Sequence, residues 1–193
     1  MTRINCVGDI CPVPVIKTKK ALSQANTGLE VLVDNEIAVQ NISKLLNSIG
    51  CAFSAAKDGE HFLISISSTS SSIPESFAKF DKNGSLVVIS SQVMGTGDDN
   101  LGKLLIKGFI FATTQMEALP TAVVFYNSGV HLVLQNSESL KDLQYLHDQG
   151  VKILACGTCL NHFKVIDELA VGEVTDMYNI VNLMQQAANI IRP

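Results

Sequence analysis

The sequence predicts an α/β protein in two parts: an amino-terminal two-layer βαβαββ sandwich and a carboxyl-terminal, mainly parallel sheet with helices on both faces. Three observations point there. Of the 193 residues 47% are hydrophobic, yet aromatics make up 6% and Trp is absent, so the core must be built from Val, Ile, Leu and Ala. That palette suits buried strands covered by helices. Short apolar runs alternate with segments of helical periodicity. The tract Ser67-Ser68-Thr69-Ser70-Ser71-Ser72, followed by Ile73-Pro74-Glu75, breaks the pattern. A polar tract of this kind buries little apolar surface and behaves as a flexible linker. With Asp81-Lys82-Asn83-Gly84 as a second turn signal, domains are expected at 1–67 and 85–193, joined by a linker at 68–84.

In the first domain Arg3–Cys6 reads as a short strand and Pro12–Gln24 as a helix. Glu30–Val33 is a strand. Ala38–Ser48 is a helix that carries Val39, Ile42, Leu45, Leu46 and Ile49 on one face. Cys51–Lys57 and Phe62–Ser67 form a hairpin around Asp58-Gly59. In the second domain Leu86–Ser90, Ala122–Tyr126 and Val151–Ala155 are near-continuous apolar strands. Helices are expected between them at Asn100–Glu117 and Leu140–Gln149, the latter stopped by Gly150, and at the end over Met177–Ile190. Strands alternating with helices predict parallel pairing with right-handed crossovers.

The charge balance excludes one class of partner. Residues 1–67 carry six basic and six acidic residues, and 85–193 carry six basic and ten acidic. Neither half has the basic excess that nucleic acid requires. Thr2, Arg3 and Asn5 lead straight into Cys6 and Asp9 without a long apolar run, so no signal peptide and no membrane span are expected. The five cysteines are an odd number, spaced unlike a secreted disulfide framework. The expected location is the cytoplasm, where thiols stay reduced.

Cys11 is the first chemical feature. It follows a short loop and precedes a helix, as the N-cap or nearly so, with Pro12 at the first helical position and Pro14 still in the first turn. The two prolines stiffen the helix start, and the N–H groups of Val13 and Val15 with the helix dipole are expected to stabilise an anionic sulfur on Cys11. The competing reading is a rigid Pro-x-Pro turn with Cys11 as a small hydrophobe. Lys17, Lys19 and Lys20 follow on the same helix; for Lys19 and Lys20 a solvated face is the expectation.

The run Gly8-x-x-Cys11-Pro12-x-Pro14-Val15-Ile16-x-Thr18-Lys19-Lys20-Ala21-Leu22 resembles the TusA-like (SirA-like) sulfur-carrier family over residues 3–67. The resemblance implies that Cys11 accepts sulfur as a persulfide and hands it on. Two positions depart from the family pattern: Asn5 replaces an acidic residue, and Asp9, where the family has Leu, would repel a thiolate at Cys11.

The second feature is Cys156-Gly157-Thr158-Cys159, directly after an apolar strand, where open α/β sheets place functional loops. Gly157 is expected to let the two sulfurs approach. The pair can cycle through a disulfide, relay a persulfide, ligate a metal or simply pack. His162 extends the spacing toward zinc, but a structural site needs a fourth ligand and no second Cys-x-x-Cys is present. No metal or cofactor is therefore expected, and His162 is read as a helix-start residue beside the thiols, aiding proton transfer. Cys6 and Cys51 are expected to pack. In Met94-Gly95-Thr96-Gly97-Asp98-Asp99-Asn100 the acidic pair reads as a helix cap and not as a phosphate loop, and the loop is expected to flank the Cys156 loop.

Residues 85–193 resemble the DsrE-like sulfur-relay fold. The segments Met94–Asp98, Leu101-Gly102-Lys103, Cys156–Cys159 and Val171-Gly172-Glu173-Val174-Thr175-Asp176-Met177 look like the YedF-like family linked to selenium metabolism, which fuses a TusA-like to a DsrE-like domain. The resemblance implies a sulfurtransferase-type carrier that passes sulfur or selenium between Cys11, Cys156 and Cys159. It also implies donor and acceptor proteins as partners and a fold that can assemble into homo-oligomers. A thiol-disulfide redox protein and a non-catalytic, partner-binding regulatory module are the alternatives.

Overall fold

The computed structural model describes residues 2–10, 12–24, 28–67 and 84–193. The chain divides into two compact units, Met1–Lys79 and Phe80–Pro193. The serine-rich linker expected at 68–84 lies outside the described residues except for Gly84.

In the first unit β1 (Thr2–Asn5), β2 (Leu29–Val33), β3 (Phe53–Asp58) and β4 (His61–Ile66) form one sheet in the order β1-β2-β4-β3. The β1–β2 pair is parallel and the others antiparallel. Burial alternates along β2, with Leu29, Val31 and Val33 inside. Leu29 and Val31 face Ile66 and Ile64 of β4 in register. That period of two marks a sheet covered on one face. The cover is α1 (Val13–Leu22) and α2 (Glu36–Ser48), giving the expected two layers.

α2 starts two residues earlier than the apolar period suggests, because the Asn35 side chain accepts the Ala38 N–H at 2.8 Å and caps the helix there. α1 starts one residue later than expected: Pro12 is its cap residue and Pro14 stands at the second helical position. Pro14 needs no partner for a missing N–H, and its carbonyl accepts the buried Thr18 hydroxyl at 2.8 Å.

The second unit is a five-stranded, all-parallel sheet in the order β8-β7-β6-β5-β9. Its strands are β5 (Ser85–Ile89), β6 (Ala122–Phe125), β7 (Lys152–Cys156), β8 (Glu173–Thr175) and β9 (Asn189–Ile191). Its helices are α3 (Asp99–Thr114), α4 (Leu140–Asp148), α5 (Gly157–His162) and α6 (Met177–Gln186), with a 3₁₀ segment over Asn127–Val133. Val87, Ile89, Val123, Phe125, Ile153 and Ala155 point to one face, against Ile106 and Ile110 of α3, Leu143 and Leu146 of α4 and Leu160 of α5. Leu86, Val88, Val124 and Leu154 point to the other, against Ile180 and Leu183 of α6. Both faces are covered, which explains the unbroken apolar runs. Among the described residues no helix is long and apolar enough to cross a membrane.

Two helix ends differ from expectation. α3 stops at Thr114, where the Thr113 and Thr114 hydroxyls donate back to the Phe109 and Phe111 carbonyls. The last helix ends at Gln186 and not near Ile190: Ala187 turns extended (φ −67, ψ 135) and β9 pairs in parallel with β5. The edge of β5 captures Asn189–Ile191, a tertiary pairing that overrides the helix-forming Ala187-Ala188.

Candidate functional site

Cys11 itself lies outside the described residues, so the first site is read from its neighbours. The Val13 N–H donates to the Ile10 carbonyl at 2.9 Å. It closes a turn and is not the free anion donor that the sequence suggested. Val15 stands at the third helical position and is buried, as are Pro14 and Thr18. Val7, Ile10, Val13 and Ile16 are all exposed, so the helix start presents an apolar rim that charge patterns do not reveal.

The loop before the helix is held by side chains. The Val7 N–H donates to Asn5 Oδ1 at 3.0 Å. Gly8, at φ +80 in the left-handed region that favours glycine, donates its N–H to Asp34 Oδ2 at 2.7 Å. That bond, with a second from the Asn35 side chain, holds the Asp34 carboxyl below its usual range. Asp9 accepts the Lys17 ammonium at 2.6 Å. The carboxylate expected to repel a thiolate is therefore paired, and Lys17 is engaged with it. Cys6 is 0% exposed. Burial pushes its thiol up to about 11, the Asp9 charge and a hydrogen bond to Asp9 push the same way, and Lys17 pulls it down.

The second site sits at the carboxyl end of the parallel sheet. Cys156 is both the last residue of β7 and the cap of α5, and Cys159 lies in that helix's first turn with buried Gly157 between them. Cys156 is 1% exposed and Cys159 is half-buried. Both are free thiols, as are Cys6 and Cys51. Burial pushes the Cys156 thiol up to about 11. The backbone N–H groups of Cys159 and Thr158 pull it down, while the charge and hydrogen bond of the Cys159 thiol add to the rise.

The Cys159 sulfur has its own donor: the Asn127 backbone N–H reaches Sγ at 3.0 Å. Sequence reasoning missed Asn127, although Asn-Ser-Gly after an apolar strand is a turn signal. The loop expected to flank Cys156, Met94–Asn100, follows β5, and β6 stands between β5 and β7 in the sheet. Its cap is as expected: Asp98 accepts the Leu101 N–H at 2.8 Å. His162 is the last residue of α5, not its start, and is exposed with its ring edge-on to Phe163 at 5.1 Å. The short helix was invisible to periodicity, which displaced that reading. Among the described residues no group of three or more His, Cys, Asp or Glu could hold a metal ion.

Comparison with known proteins finds likeness to two families. Residues 2–67 match the model of Sulfurtransferase TusA and residues 85–193 that of the DsrE/DsrF-like family. A curated relative from Methanocaldococcus jannaschii, named "Putative sulfur carrier protein", is 44% identical over 62 residues, 31% of this chain and 83% of the relative. Among solved structures, the SirA-like protein of Desulfitobacterium hafniense is 35% identical and aligns over 36% of this chain and all of its own, with a TM-score of 0.33. A protein of unknown function from Methanobacterium thermoautotrophicum is 25% identical, over 57% of this chain and 99% of its own, with a TM-score of 0.44. The chain thus belongs to the DsrE/DsrF-like family through its carboxyl-terminal unit and carries a TusA-type amino-terminal unit fused to it.

Proposed function

We propose that this protein is a chalcogen carrier of the cytoplasm. Cys11 accepts sulfur or selenium as a persulfide or selenopersulfide, and the Cys156/Cys159 pair receives, donates or resolves it. The observation that carries the reading is the pair of free thiols on the turn that joins β7 to α5, on a chain whose other unit is of the TusA type. The partners are donor and acceptor proteins for the same group, and the exposed apolar residues Val7, Ile10, Val13 and Ile16 support docking around position 11. The test is to load the full chain with a persulfide donor and map the added mass on each cysteine. Label on Cys11 and on the pair is expected; label on neither overturns the reading.

The placement of two free thiols, Cys156 and Cys159, on one turn also favours a second reading, a dithiol–disulfide couple. Its signature is a reversible two-electron potential that Cys11→Ser leaves unchanged.

A further inference from the structure

The loop after β6 is built around an unfavourable residue. Asn127 sits at φ 51, in the left-handed region that costs a non-glycine residue on the order of 1 kcal/mol, least for Asn and Asp. The loop is tied to the end of β5. The Tyr126 N–H donates to the Ile89 carbonyl at 3.1 Å, and the Gly129 N–H donates to Tyr126 at 3.1 Å. Gly129 lies so close to the end of β5 that a Cβ there would collide with the Ile89 carbonyl oxygen. What this arrangement delivers is one backbone N–H aimed across to the next loop, at the sulfur of Cys159. Among the described residues no such hydrogen bond from this loop reaches the sulfur of Cys156, which is 1% exposed.

We propose that Cys159 is the thiol of the pair that takes the incoming sulfur or selenium, and that Asn127 is a positioning residue that presents its sulfur. This rests on the carrier reading above. The step is a sulfur transfer without net oxidation. The Cys159 sulfur attacks the outer sulfur of a donor persulfide R–S–SH, and the donor S–S bond breaks with its electron pair leaving on R–S. R–S then takes up the proton that Cys159 releases. The products are R–SH and Cys159–S–SH. Cys156, behind it, is the later partner that resolves or relays the group.

The experiment exposes the full chain briefly to glutathione persulfide, quenches with an alkylating agent and reads each cysteine by tandem mass spectrometry. Cys159 should load about tenfold faster than Cys156, the rate equivalent of one hydrogen bond to a charged sulfur. Asn127→Val, whose branched side chain the left-handed region rejects, and Gly129→Ala should each cut loading at Cys159 by about tenfold. Loading at Cys11 should stay as it was. Asn127→Gly, which keeps both the N–H and the left-handed backbone, should restore what Asn127→Val loses; a purely side-chain role would not be rescued this way. Faster loading at Cys156 overturns the proposal, as does Asn127→Gly falling as far as Asn127→Val. Should Asn127→Val or Gly129→Ala fail to fold, the loading order in the unsubstituted chain and the Asn127→Gly rate still decide. Failure of every cysteine to load, Cys11 included, would sink the carrier reading instead.

Discussion

Cys6 and Cys156 occupy matching places in the two units. Each ends or directly follows a strand in parallel pairing, each is almost wholly buried, and each thiol is pushed up to about 11 chiefly by burial. Their surroundings differ. Around Cys6 the remaining influences come from side chains, the charge and hydrogen bond of Asp9 pushing up and the Lys17 charge pulling down. Around Cys156 they are backbone N–H groups and a second thiol. Surface mutation or salt can retune the first setting, whereas the second is fixed by the chain's path between β7 and α5. The first unit thus sets the acidity of its buried thiol with replaceable side chains, and the second with its fold.

The largest expected effect tests whether that fold-borne setting belongs to the second unit alone. Phe125 is fully buried and ends β6, directly before the loop that reaches Cys159. Phe125→Ala should destabilise the second unit by about 3–5 kcal/mol. Amide hydrogen exchange should show the loss across residues 84–193 and leave β2 and β4 protected. The mirror change, Ile64→Ala in β4, should cost about 2–5 kcal/mol and reverse the pattern. Equal loss of protection in both units after either change would mean that they unfold together, and the two settings would not be separable.

Much of this contrast could be read from the sequence, though unevenly. The continuous apolar runs of β5, β6 and β7 announce a sheet covered on both faces, and the helical spacing in α2 is equally plain. The Cys-x-x-Cys pair was legible as chemistry because its spacing is local. What escaped depends on contacts between distant segments or on elements too short to show a period. α5 has six residues and β8 and β9 three each, so His162 was placed at the wrong end of its helix and β9 was read as helix. The Asp9–Lys17 pair joins the loop before α1 to a residue just past its first turn, and the Asn127 contact joins residues 32 apart. Neither leaves a repeating signal. The Val13 N–H failed as an anion donor for a similar reason: a turn with Ile10 claims it, and turns of that kind carry no mark in a Pro-x-Pro motif.

The next effect appears on the alkaline side in both units. A thiol with the ordinary value of 9.0 is raised in each folded site to about 11. Between these values the unfolded chain binds fewer protons than the folded one. The contribution to stability is complete below about 9 and is lost as the pH climbs through 11. Denaturant unfolding at stepped pH should show this decline. Cys6→Ser should flatten it in the first unit and Cys156→Ser in the second. A decline that survives both substitutions would assign it to other groups. Smaller still is the response of one thiol to its neighbour. Cys159→Ala removes the charge and hydrogen bond that raise Cys156 but keeps the backbone N–H at position 159, so Cys156 should titrate lower. The pH dependence of its alkylation reads that directly.

The smallest change sharpens the comparison most, because it should move chemistry without moving the fold. Lys17→Met removes the cation that lowers Cys6 and leaves Asp9 unopposed beside it. Cys6 should titrate above its present value of about 11, and alkylation at fixed pH should slow. Stability should scarcely shift, since Lys17 stands at the surface, where such pairs are screened by solvent and salt. Added salt should act in the opposite sense in the unsubstituted protein, because it screens the Asp9 charge together with that of Lys17 and Asp9 is the larger influence on Cys6. A smaller response is expected at Cys156, where the tuning groups are backbone amides and the neighbouring Cys159 thiol and no Asp or Lys side chain takes part. A Cys156 alkylation rate that follows salt as steeply as that of Cys6 would erase the distinction. It would mean that both thiols answer to surface charge, and that the path of the chain around α5 sets less of the chemistry than its geometry implies.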